Sequence, residues 1–442
     1  MALRVFRQLV FAPCIAVSLS SALPAAAQFE LVPDTTPDRS LGTQVIPDGT
    51  GRDVITGGLR SQNGSNLFHS FQEFNIRENR SVYFQNPAGV QNILTRVTGR
   101  DPSEILGTLG VLGSANLFLL NPNGIFFGPD ARLQISGAFV ASTANSFRFP
   151  DGGEFSATNP QSPPLLTVNI TPGLQQGAIS ANSTIANRGN LSVGQDLILE
   201  SDRLDLQGQL IAGRDLTLRA QDAVQARDSS IAPLIVKANR NLLVQGDRAL
   251  DIVALSHPQS QFFSGGNLTL RSANTVNGDA RFRSGGVFRI EQLNGQPGNL
   301  ASPQDPFIFA VGDVVLGDYV GDSLHIWAGG SVTLGDVEIT GVDPANSLVE
   351  TVMLSDGSTL EIDGALVPTL DVRAGIDWSR LGGLPGDIDS DGLGAIFAPT
   401  ITSADITIGN IINFTGTVFI TNQYVPNPSL GSPNGIRTGT ID

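Results

Sequence analysis

Apolar and polar residues alternate along most of this chain in short runs separated by turn residues. From Leu191 onward one unit recurs. Gly194-Gln195-Asp196-Leu197-Ile198-Leu199 is followed by Gly213-Arg214-Asp215-Leu216-Thr217-Leu218, then by Asn239-Arg240-Asn241-Leu242-Leu243-Val244 and Gly265-Gly266-Asn267-Leu268-Thr269-Leu270. Later copies are Gly285-Gly286-Val287-Phe288, Val311-Gly312-Asp313-Val314 and Gly329-Gly330-Ser331-Val332. Aligning Leu197, Leu216, Leu242, Leu268, Phe288, Val314 and Val332 gives a loose period of roughly 18–26 residues, in the solenoid range. Within a copy, Leu268 and Leu270 flank Thr269, so two side chains point inward and one outward. The preceding Gly or Asn predicts a corner with positive φ. One coil is too small to bury a core, so coils must stack. At about 4.8 Å per strand, some 14 coils predict a rod of roughly 70 Å. A β-sandwich is the alternative, but its strands recur about every 8–12 residues.

Before the repeats, residues 29–150 hold longer strands and few exact copies. An open solenoid edge invites strand addition, so an N-terminal element is expected to cap it. The proline-rich residues 159–172 predict a loop or excursion. The signature decays after about residue 340, Gly382 to Asp387 is loop-like, and Ile401 to Asn413 returns to strand character. The boundaries expected are 1–27, a leader; 28–165, an N-terminal domain; 166–345, coil repeats; 346–425, an irregular continuation; and 426–442, a disordered tail.

Composition narrows the class. The 442 residues carry 26 basic and 41 acidic side chains, a net charge of -15, and Lys237 is the sole lysine. Phosphate neutralisation needs clustered Lys and Arg, which argues against a nucleic-acid partner. Gly reaches 50 and Pro 26, and Thr, Val and Ile are common, which disfavours a helical bundle. Arg4 and Arg7, the apolar run Leu9 to Leu19 and Ala25-Ala26-Ala27 read as a secretory signal cleaved before Gln28. Cys14 follows Phe11-Ala12-Pro13, a poor lipobox, so lipidation is not expected. The mature chain then lacks cysteine and any transmembrane segment, and must be held by burial and backbone hydrogen bonds.

The densest segment runs from Leu106 to Ala144. Ala115-Asn116-Leu117-Phe118-Leu119-Leu120 leads into Asn121-Pro122-Asn123-Gly124-Ile125-Phe126-Phe127, which predicts strand, tight turn, strand. Upstream stand Phe68-His69-Ser70-Phe71 with Phe74-Asn75, then Asn86-Pro87 and Arg96-Val97-Thr98-Gly99; downstream stands Gly137 to Ser142. Together, over about residues 40–150, these resemble the secretion domain of two-partner-secretion exoproteins, the filamentous haemagglutinin N-terminal family, in the style of its cyanobacterial members. The resemblance implies an all-β, right-handed parallel β-helix with capping strands and extra-helical hairpins. It implies export through a TpsB-type outer-membrane barrel whose POTRA repeats recognise the domain in the periplasm. The product would lie outside the cell or on the outer-membrane surface, with an adhesin or surface-interaction role toward a host cell or a polysaccharide. By the same resemblance Asn86, Pro87, Asn121, Pro122, Asn123, Gly124 and Ile125 form the secretion motif. The family's other turn is usually NPNL; here Asn86-Pro87-Ala88-Gly89 departs at its third and fourth positions. A turn and a recognition element look alike in sequence, so a purely structural role stays open.

Other chemistry is sparse. Asp387-Ile388-Asp389-Ser390-Asp391-Gly392 matches the opening of a calcium loop, but Ala398 stands where the bidentate glutamate belongs. Asp387, Asp389 and Asp391 are therefore at most a partial calcium site, and no other cofactor is expected. His69, His257 and His325 have no metal spacing and are expected to be structural or solvent-exposed, with His69 packed. Asp196 and Asp215 recur at one repeat position, followed by Asn241 and Asn267, which reads as a turn ladder rather than a catalytic pair. The chain is not expected to be an enzyme; a carbohydrate-active β-helix enzyme and a non-catalytic matrix protein are the alternatives.

Overall fold

The computed structural model describes residues 31–149, 152–161, 175–345, 348–354, 356–384, 400–431 and 434–442. The expected leader lies outside these residues. The described chain is almost entirely strand, with one 3-10 turn at Trp378–Leu381. Among these residues no helix is long and apolar enough to cross a membrane.

The strands stack in register as a parallel β-helix with three columns. In the first column Leu67, Ile93, Leu117, Phe139, Leu197, Leu216, Leu242, Leu268, Phe288, Val314, Val332, Ile406 and Ile436 are successive partners. The seven repeat positions aligned in the sequence are thus seven consecutive rungs. The second column runs Ile125, Ile185, Leu204, Val224 and, further on, Leu300, Tyr319, Val337 and Ile411. The third runs Leu191, Leu210, Val236, Phe262, Phe282, Ile308, Ile326, Val372 and Ile420. Thirteen rungs at about 4.8 Å give a rod of roughly 60 Å. Except at the last rung, where Ile436 is exposed, inward residues of all three columns form one continuous core. Phe262, Phe282 and Phe288 stack through it, with centroids 5.6 and 5.5 Å apart.

Corners are closed by side-chain ladders. The Asp196 carboxylate accepts from Asp215 N, Asp215 from Asn241 N, Asn241 from Asn267 N and Asn267 from Val287 N, at 2.9–3.1 Å. A second ladder joins Asn299, Asp318, Asp336, Asn410 and Thr440. The repeat glycines do not have the positive φ expected of them. They are needed because backbones stack closely there: a Cβ on Gly213 would stand 2.1 Å from the Gly194 carbonyl oxygen, and one on Gly265 2.3 Å from that of Asn239.

The N-terminal end is capped by antiparallel strands. Leu31–Pro33 and Leu59–Arg60 pair with Asn66–Phe74, and Thr43–Pro47 pairs with Arg52–Gly57. Outside the first column, Ser146–Arg148 pairs with Glu154–Ser156 and Gln175–Gln176. This extra-helical sheet covers Phe68, Leu94, Phe118 and Val140, the outward residues of the first coils. A second excursion, the hairpin Val349–Met353 with Thr359–Asp363, leaves after the second column. Most of the proline-rich 159–172 stretch lies outside the described residues. Where it is described, the tail from Pro426, expected to be disordered, is ordered. Ile436–Thr438 lays a last rung on Ile406–Ile408, and Ile441 pairs with Ile411. That extension was missed because the intervening loop breaks the repeat spacing.

Candidate functional site

The Asn121 turn follows the first-column strand Asn116–Leu120 and leads into the second column. The buried Asn121 amide donates to the Asp101 carbonyl at 3.1 Å and to Ser103 Oγ at 3.0 Å, on the preceding coil. Its Oδ1 accepts from Asn123 N at 3.0 Å, and its backbone carbonyl accepts from Gly124 N at 3.2 Å. Asn123 Nδ2 donates to the Gly99 carbonyl at 3.0 Å. Gly124 sits at φ 123°, where a Cβ would also meet the Thr184 carbonyl oxygen at 3.0 Å. Ile125 is buried and pairs with Ser103 below and Ile185 above. Asn121, Pro122, Gly124 and Ile125 are buried, and Asn123 alone of the five is exposed.

The Asn86 turn lies at another corner, between the third and first columns. Its amide, oriented to match its neighbours, donates to the Val90 carbonyl at 3.0 Å. It accepts from Ala115 N at 3.1 Å and Ser114 N at 3.2 Å, on the next coil. Val90 N donates to the Pro87 carbonyl at 3.1 Å. Arg60 of the cap donates to the Ala88 carbonyl at 2.7 Å. Each Asn-Pro turn therefore clamps two coils, and the two turns occupy different corners.

A third fastening was not read from the sequence, although Arg96 lay within the stretch that carried the resemblance. Arg96 is buried among strands of the first column. Its Nε donates to Ser70 Oγ at 3.0 Å, and its Nη1 donates to the carbonyls of Ser156 at 2.9 Å and Gln161 at 3.0 Å. The guanidinium lies 4.8 Å from the Phe155 ring centroid. Ser70 Oγ and Thr98 Oγ1 both donate to Asp34 Oδ2, at 2.6 and 2.8 Å. Cap, coils and extra-helical sheet thus meet at one buried cation. Burial pushes Arg96 down to about 10, partly offset by the Asp34 charge. An Arg inside the apolar run Ile93 to Val97 was the available signal.

The remaining candidates resolve as follows. His69 is buried against Phe84, with Thr43 Oγ1 3.2 Å from Nδ1, and burial pushes it down to about 3, so it is neutral. His325 is fully buried, 3.0 Å from Asp305 and 3.2 Å from Asp371. Burial alone would lower it, but these two carboxylates hold it up at about 9. The same network joins Asp371 to Arg373 at 2.8 Å and Arg373 to Glu350 of the excursion hairpin at 2.8 Å. Asp196 and Asp215 work in the corner ladder. Among the described residues no group of three His, Cys, Asp or Glu side chains has metal-holding geometry. Asp387, Asp389 and Asp391 lie outside those residues.

Comparison with known proteins places this architecture. The family model of the TPS secretion domain matches residues 34–298, past the expected boundary at 165 and across the first nine rungs. The heme/hemopexin-binding protein of Haemophilus influenzae is 23% identical over 194 residues, which is 41% of this chain and 20% of that protein. The chain thus spans about a fifth of the length of that relative. Among solved structures, the filamentous hemagglutinin secretion domain is 21% identical, over 71% of this chain and 98% of that one, with a TM-score of 0.31. The HMW1 secretion domain from Haemophilus influenzae is 14% identical, over 90% and 97%, with a TM-score of 0.36. Because the family match takes in most of the cap, both Asn-Pro turns and more than half of the sequence, the chain belongs to the TPS secretion domain family of two-partner secreted exoproteins.

Proposed function

We propose that the capped N-terminal coils direct this chain through a partner outer-membrane barrel, whose POTRA repeats engage the domain in the periplasm. The chain then acts at the cell surface as an adhesin or surface-interaction protein. The family match across residues 34–298 carries this reading. The fold supplies a physical rationale. Each coil contacts only its neighbours, so stacking outside the pore releases free energy stepwise and disfavours backsliding. The ladder roles of Asp196 and Asp215 favour a non-catalytic chain over a carbohydrate-cleaving one. The secretion roles of Asn86, Pro87 and Asn121 to Ile125 belong to the same reading. So does a weak calcium site at Asp387, Asp389 and Asp391, to be checked by titrating the purified chain with calcium. The central test deletes the candidate barrel gene. Accumulation in the periplasm is expected; unchanged surface or medium levels would overturn the export route.

A further inference from the structure

Beyond the family-matched region the chain changes character. Residues 301–442 hold eighteen Asp and Glu against Arg373, Arg380 and Arg437, so the whole net charge of -15 lies there. Within this acidic third, a cavity of about 350 Å³ opens beside the last coils. Its polar wall is four carboxamides, Asn422, Gln423, Asn427 and Asn434, and its apolar wall includes Pro426 and Leu430. Among the described residues no ionisable side chain lines it.

The carboxamides are held in place. Asn434 Oδ1 accepts from Ala404 N at 2.8 Å, and its Nδ2 donates to the Gly431 carbonyl at 3.2 Å. Asn422 Oδ1 accepts from Gln423 Nε2 at 3.2 Å. Asn427 is tied to the coils by its N–H to the Gly375 carbonyl at 2.8 Å, and its Oδ1 accepts from Ser429 N at 3.0 Å. Among the described residues this leaves Asn427 Nδ2 as an uncommitted donor and Gln423 Oε1 as an uncommitted acceptor. Val425, which precedes the wall residue Pro426, sits at φ 44°, a strained setting for a β-branched residue before proline. Its carbonyl is fixed by Asp377 N at 2.9 Å.

The chemistry of a ligand follows by comparison of cases. An anion would enter the field of the acidic third, and a cation would find no carboxylate in the wall. A wholly apolar ligand would strip water from amides and return no hydrogen bond. A sugar ring fits, because its hydroxyls both donate and accept while its C–H face packs on Leu430 and Pro426. The volume lies within the range of roughly 300–1,000 Å³ common for small-molecule sites. We propose that this cavity binds a neutral hexose unit. The inference gives a ligand class to the surface-interaction reading and rests on that reading only for its purpose.

The experiment is saturation-transfer NMR on the purified chain. The probes are methyl glucoside, methyl galactoside and methyl mannoside, with glucuronate as the anionic control. At least one neutral glycoside should saturate the signal, and glucuronate should not. Asn427→Asp keeps the oxygen that receives Ser429 N but removes the donor, and Gln423→Ala removes the acceptor. Each should weaken binding about tenfold, the expected loss for one hydrogen bond of this kind, with the melting temperature unchanged. The proposal is overturned if no neutral glycoside binds, if glucuronate binds equally well, or if both variants bind as the parent does. Loss of the export route in the barrel deletion would leave this result standing, so the two readings fail separately.

Discussion

The two ends of the stack should respond to pH in opposite senses. In the folded chain His69 is neutral, pushed down to about 3 by burial, whereas an unfolded histidine titrates near 6.5. Acidification therefore protonates the unfolded state first, and the N-terminal coils lose stability as pH falls below 6.5. Between pH 7 and pH 5 the loss is about 2 kcal/mol by proton linkage. His325 behaves inversely. Its folded value is held up at about 9, so its contribution is fully present below 6.5 and is lost as pH rises toward 9. That loss is about 3 kcal/mol. Asp279 adds to the same trend, because burial raises it to about 6 and its carboxyl gains a proton on folding between pH 4 and 6. Trp327 and Trp378 are the only tryptophans, and both lie in the apolar cluster beside His325. Their fluorescence during urea unfolding reports the C-terminal coils alone. The midpoint should fall on the order of 1 M from pH 6 to pH 9, given an m-value of roughly 1–3 kcal/mol/M. His325→Asn should flatten that slope. Hydrogen exchange in Asn66–Phe74, corrected for its intrinsic pH dependence, should accelerate from pH 7 to pH 5. A flat or rising tryptophan midpoint toward pH 9 would refute the charge assignment at His325.

Three further outcomes are expected. Arg96→Met leaves the Ser156 and Gln161 carbonyls and Asp34 without their cation, and should destabilise the N-terminal unit by about 3–5 kcal/mol. Proteolysis and thermal melts should place the damage in the extra-helical sheet around Glu154–Ser156 rather than in the coils past Leu197. Asn241→Ala keeps the backbone rung to Asp215 but removes the Oδ1 that accepts from Asn267 N and the Nδ2 that donates to Asp215, and should cost about 1 kcal/mol per lost bond in denaturant titration, with no change in secretion at low temperature. At the Asn121 turn, Gly124→Ala is strained by its φ and by the Thr184 carbonyl, and should lower both stability and export. Asn123→Ala touches the exposed member, loses its bond to the Gly99 carbonyl, and should cost no more than about 1 kcal/mol. If export falls with Asn123→Ala nonetheless, the turn is read directly by the partner; if export follows stability through both variants, its role is to shape the coil.

What the sequence disclosed and what it hid have one physical cause, the environment of the outward positions. From Leu197 to Val332 those positions are mostly polar, as with Thr217, Thr269 and Thr333, so inward leucines stand out and the register could be counted rung by rung. In the first coils the outward partners are Phe68, Leu94, Phe118 and Val140, because a second sheet lies on them. Buried on both sides, such strands lose their alternation and look like uninterrupted apolar runs. Hence the same column passed for longer, unrelated strands between residues 66 and 142. The C-terminal rungs were obscured differently: the chain between Val332 and Ile406 is far longer than one period and includes the excursion hairpin, so no local spacing links them. The Asn-Pro turns were visible because turn residues are chemically distinctive, whereas Arg96, Asp34 and Ser70 meet only through folding. Their convergence also explains why the part of the family signature from Asp34 to Gln161 is more than one motif. A cap, a coil and an outlying sheet that share one buried cation must be specified together.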